Sequence, residues 1–130
     1  MGPVNWIAVV LAVVLAVVIG ILWNGTLFPA RRPSLGGPSR APGRFWLVGL
    51  VFLLAAIMLG HNFARIGADT MRAKPWLYFM MSGGTSLFFV IPAVWLTHAR
   101  TGTEPMRRVL DCGFWLVAYL GMGLVFWILR

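Results

Sequence analysis

Residues Val4 to Trp23 read VNWIAVVLAVVLAVVIGILW, a run in which no side chain carries a charge. A bilayer core of roughly 30 Å is crossed by about 20 helical residues rising about 1.5 Å each, so this run has the length and composition of a transmembrane helix. Three more uncharged runs follow outward from it: Phe45 to Ala64, Pro75 to Thr97, and Cys112 to Leu129, with Val109 to Asp111 expected to be helical ahead of the last. The expected fold is all-α, an integral membrane bundle of four transmembrane helices at 4–23, 45–64, 75–97 and 109–129. The connections are too short for a separate soluble domain, so 1–130 is read as a single membrane domain.

Composition agrees. Of the 130 residues 60% are hydrophobic and 11% are charged, whereas an ordinary soluble domain carries roughly 25% charged residues. Eleven Lys+Arg against three Asp+Glu give a net charge of +8. In a soluble protein that excess would suggest nucleic acid. Here the cations lie between apolar runs, where they read as membrane-flanking charges, so the expected partners are membrane lipids and other membrane helices, and no nucleic acid. Cys112, the single cysteine, has no partner for an intramolecular disulfide.

Tryptophan tests the boundaries independently, because its ring is apolar while its N–H prefers the wet headgroup level. Trp6 and Trp23 bracket the first run, Trp46 opens the second, Trp76 and Trp95 bracket the third, and Trp115 and Trp127 lie towards the ends of the fourth. The first run has no positive n-region and exceeds a signal-peptide core in length, so it is read as a retained helix. The connection Asn24 to Arg44 holds Pro29, Pro33, Pro38 and Pro42 with four arginines and is expected to be extended and mobile. Counting Lys+Arg on alternate sides places seven in the first and third connections and four in the second connection and C-terminus. The positive-inside rule then puts both termini outside the cytoplasm.

Helices in lipid associate through close backbone approach, which small residues allow. Ala8, Ala12, Ala16 and Gly20 recur at strict four-residue spacing in the first run, and Ala56, Gly60 and Ala64 do so in the second. Both stripes are read as helix-packing seams, within the chain or between copies of it. The third run is irregular, with Ser82, Gly83, Gly84, Thr85 and Ser86 followed by Pro92, whose ring removes the hydrogen bond to the carbonyl of Phe88. These six residues form the candidate ligand or kink site. The preferred reading makes Ser82 and Ser86 a further small-residue face with hydroxyls bonded back to their own helix.

Candidates for chemistry are few. His61 and His98 end successive antiparallel runs, so they fall on opposite membrane faces about 30 Å apart and cannot clasp one haem iron. Each is read as an interfacial histidine bonded to a headgroup or to backbone. Cys112, Asp111 and His98 fall near one face, the raw material of a thiol nucleophile with a base. Against that, Asp111 follows Arg107 by four residues, the spacing of a helical ion pair, and adjacent helical residues do not face each other. No metal motif, phosphate loop or carboxylate pair within a run occurs. The expectation is no catalysis, no cofactor and no metal.

The pair Asn5-Trp6 and the stretch Gly20-Ile21-Leu22-Trp23-Asn24-Gly25-Thr26-Leu27-Phe28 resemble the opening of the bacterial membrane family known as domain of unknown function 1761. Leu110-Asp111-Cys112-Gly113 through Gly121-Met122-Gly123 is similar to the last helix of that family, which starts with an acidic residue followed by small ones. Asn24 and Thr26 stand where the family usually has Tyr and Pro. The resemblance implies four helices in a bacterial inner membrane and transfers no catalytic residue. The functional expectation is a non-catalytic accessory or assembly subunit packing against other membrane helices. The alternative is a transporter or carrier of a small apolar or lipid-like molecule.

Overall fold

The computed structural model describes residues 2–28 and 44–130, and no strand occurs among them. The proline-rich part of the first connection lies outside the described residues. Helix α1 spans Trp6–Leu22 and continues as a π turn at Trp23–Leu27, so the connection begins later than Asn24. Asn5 starts it: its backbone is extended and its Oδ1 accepts the N–H of Ala8 at 3.0 Å, satisfying one of the free donors of the first turn. The Asn5 amide also donates to the carbonyl of Leu129 at 2.8 Å, tying the start of the first span to the end of the last.

Helix α2 spans Arg44–Ile66. At Gly67 the chain turns with φ +94, in the left-handed region that costs glycine little, and a short helix α3 follows at Ala68–Ala73. This helix was not expected. Its amphipathic ADTMRA carries Asp69 in the first turn and Arg72 in the last, both signs matched to the helix dipole.

The third span consists of α4 (Trp76–Thr85), a π turn at Ser86–Val90 and α5 (Ile91–Arg100). The anticipated irregularity is thus a widened turn: the Ile91 N–H donates to the carbonyl of Ser86, five residues back. That width relieves the clash that the Pro92 ring would make with the carbonyl four residues before it. After a turn through Gly102 (φ +68), α6 runs over Pro105–Ile128. It starts four residues before the expected point, because Pro105 suits a first helical turn and the Arg107–Arg108 pair marks the edge of the hydrocarbon without ending the helix.

Among the described residues four helices are long and apolar enough to cross a membrane, so the chain is a multi-pass membrane protein. Helix α1 packs between α2 and α6, and α6 packs between α1 and the third span. The buried core lies along these contacts, with Phe52, Leu59, Ala56, Met122, Phe126 and Ala118 at its centre. Between helix α2 and the third span, the Phe63 and Tyr78 rings meet at a tilt with centroids 4.8 Å apart.

Candidate functional site

The small-residue stripes are used inside the chain. Ala8, Ala12 and Ala16 are fully buried, and Gly20 faces the Phe114 ring of α6, where an added Cβ would come within 3.4 Å. In α2, Ala56 is fully buried, while a Cβ at Gly60 would meet Val4, Val9 and Phe126 at 3.2–3.3 Å. Ala64 is half-buried and its carbonyl accepts the Gly2 N–H at 3.2 Å.

Sequence reasoning missed the matching glycines of α6. A Cβ at Gly121 would lie 2.9 Å from Ile19, and one at Gly113 would lie 3.3 Å from the Trp23 ring. One at Gly123 would fall on Ser82 Oγ and within 2.8 Å of the Tyr78 carbonyl. The Gly-x-x-x-x-x-x-x-Gly-x-Gly spacing carried this signal, since positions eight apart share one helical face.

The third-span cluster divides between two surroundings. Ser82, Gly83 and Ser86 are buried, whereas Gly84 has open space where a side chain would stand and Pro92 is exposed. Ser82 Oγ donates to the Tyr78 carbonyl at 2.8 Å and Thr85 Oγ1 to the Met81 carbonyl at 2.7 Å, the back-bonding expected of hydroxyls in lipid. Ser86 departs from the expectation. Its Oγ is buried with no hydrogen-bond partner among the described residues, while its backbone N–H donates to the Gly83 and Ser82 carbonyls.

Two tryptophans also depart from the interfacial pattern. Trp23 lies against Phe28 and Phe114, with its Nε1 buried and unpartnered. Trp115 stacks on Phe52 at 5.3 Å. The Trp23 ring fills the space that Gly113 of α6 leaves, and Trp115 packs against the Phe52 ring of α2.

The histidines sit at opposite ends of the bundle. His61 Nδ1 lies 2.9 Å from the Ile57 carbonyl and its ring meets Trp6 edge-on at 6.1 Å, the backbone bonding expected of it. His98 bonds neither headgroup nor backbone in the manner anticipated: its Nε2 lies 2.7 Å from Asp111 Oδ2. Arg107 Nε is farther away from the same oxygen, at 3.9 Å. The cause is tertiary, since the tight turn at Thr101–Glu104 lays the last turn of α5 against the first turns of α6. Arg108 closes the same corner by stacking 5.7 Å from the Trp95 ring centroid and donating from Nε to the Thr103 carbonyl at 2.8 Å. Cys112 is buried one residue on from this pair. Among the described residues no group of three His, Cys, Asp or Glu side chains is placed to hold a metal ion.

Two concavities stand out among the described residues. One, of about 380 Å³, is a lateral crevice between α2 and the third span, where Asn62, Met58 and Ala55 face Thr85 and Phe89 over a floor of Tyr119. The other, of about 400 Å³, lies at the end of the bundle that gathers both described termini, under α3.

The family profile described as a protein of unknown function, DUF1761, matches residues 7–127. The chain belongs to that family. None of the curated proteins and none of the solved structures compared with it matches. Within the family frame, the residues that carried the resemblance turn out to be contact points between spans. Trp6 meets His61, Asp111 meets His98 and Gly113 receives Trp23, whereas Asn24 Nδ2 bonds within its own span, donating to the Gly20 carbonyl at 3.0 Å.

Proposed function

We propose that the protein is a non-catalytic interaction module of a bacterial inner membrane, an accessory or assembly subunit whose docking side is the crevice between α2 and the third span. The observation that carries this reading is Asn62. Its amide lines the crevice and forms no hydrogen bond among the described residues. Asn62 stands near the end of α2, next to His61, and a neighbouring helix would satisfy its unpaired amide through a polar side chain or backbone group. The alanine stripes do not serve as this surface, because they are buried against α2 and α6. Co-purification from membranes in a gentle detergent tests the proposal: Asn62→Leu paired with Ala55→Leu should lose a stoichiometric membrane partner that Leu54→Ala, on the exposed face of the same helix, keeps. Equal retention of that partner by all variants would sink it.

A second reading, a carrier of a small apolar or lipid-like molecule, draws on the bulk of the same lining. Met58, Phe89 and Tyr119 hold walls apart more than a close helix contact wants, and methionine adapts to varied shapes. A co-eluting small molecule lost in the Asn62 variant, with no protein partner, would favour it.

The orientation with both termini in the periplasm rests on the seven-to-four Lys+Arg balance. In intact cells carrying Cys112→Ala, a cysteine introduced at Ala68 should react with an impermeant thiol reagent, and one at Ser34 should not. The reversed pattern would invert the topology.

A further inference from the structure

The cavity at the terminal end of the bundle joins two kinds of lining. Its floor is apolar, formed by Phe63, Met71 and Phe126, all buried. Its rim carries two arginines, Arg72 from the last turn of α3 and Arg130 from the end of α6, both exposed. Neither has a carboxylate partner among the described residues, and Arg130 rests its guanidinium 5.5 Å from the centroid of the Trp127 ring. Arg65 and Lys74 add to the positive charge of this end, where Asp69 is the sole acid. The opposite end differs, since its Asp111 is engaged by both His98 and Arg107.

Depth fixes the chemistry further. Trp6 and Trp76 stand exposed at this same end, the level of the headgroups. A cavity there, greasy below and doubly cationic above, complements a molecule with an anion attached to a hydrocarbon chain. Guanidinium groups bind phosphate oxygens in paired hydrogen bonds. We infer that this cavity binds an anionic phospholipid, with the phosphate between Arg72 and Arg130 and the first chain methylenes over Phe63 and Phe126. The site is separate from the α2 crevice and stands or falls without it.

The test uses the full chain in detergent and counts bound lipid by native mass spectrometry, with phosphatidylglycerol, phosphatidylcholine or inorganic phosphate added. Phosphatidylglycerol should bind roughly thirtyfold more tightly than phosphatidylcholine, the preference that two cations near a surface confer. Arg72→Gln combined with Arg130→Gln should abolish the preference, while Arg100→Gln at the other end should keep it. Arg72→Gln alone, in an exposed helix end, guards against a double variant that does not fold and should reduce the preference several-fold. Equal binding of the two lipids, a preference that persists in the folded double variant, or full occupancy by inorganic phosphate without lipid would each overturn the assignment.

Discussion

The two sides of the bundle are built from the same kinds of residues in different order. Where α6 meets α1 and α4, residues with little or no side chain sit at the contacts, among them Ala12, Ala16, Gly121, Gly123 and Ser82. Where α2 faces the third span, Met58 and Phe89 line a crevice floored by Tyr119 of α6, and Phe63 meets Tyr78. In lipid there is no gain from hiding apolar surface, so contact follows backbone proximity and an open side costs little. The difference teaches that the closed side holds the fold and the open side is free for something else.

The sharpest way to break that contrast is at Gly123. A methyl there would overlap Ser82 Oγ and crowd the Tyr78 carbonyl, so Gly123→Ala should destabilise by about 2 to 3 kcal/mol, the upper range for overpacking. Gly84→Ala, which meets nothing, should be neutral or slightly stabilising. Denaturant titration of the folded protein in mixed micelles measures both. A tolerant Gly123 would mean that α4 and α6 are not in close contact.

A smaller effect is expected at the stripe of α1. Ala12→Leu or Ala16→Leu inserts three carbons at a fully buried position and should cost about 1 to 3 kcal/mol each. Val10→Leu and Val14→Leu, on the exposed face, should stay within about 0.5 kcal/mol. Because the stripe is used within the chain, the loss should register in the unfolding of a single chain and leave any oligomeric state of the folded protein unchanged. A variant that folds normally but loses self-association would move the seam to a contact between copies.

The smallest effect belongs to the pair at the far corner. His98→Gln or Asp111→Asn should cost about 0.5 to 1 kcal/mol, since both side chains are partly exposed and such pairs are worth little in water. A double-mutant cycle reads their coupling directly. Coupling near zero would leave His98 and Asp111 as neighbours without energetic consequence.

The number of spans, their approximate places and the alanine register of α1 could be read without coordinates, because a bilayer demands long uncharged helices and the spacing of small residues is periodic along one face. The Asn5 cap lay equally within reach, being a local hydrogen bond. Other features depended on which helix lies beside which. The stripe could be assigned to the chain itself only once α1 stood between α2 and α6. His98 found Asp111 thirteen positions away through a tight turn, which no spacing rule within one helix reaches. Trp23 turned inward because Gly113 on another span left room for it. The cavity of Arg72 and Arg130 joins the ends of α3 and α6, far apart in sequence. Hydrophobic length and local capping are properties of one segment and are written in its residues, whereas the pairing of spans, and the concavities that pairing leaves open, belong to the assembled bundle.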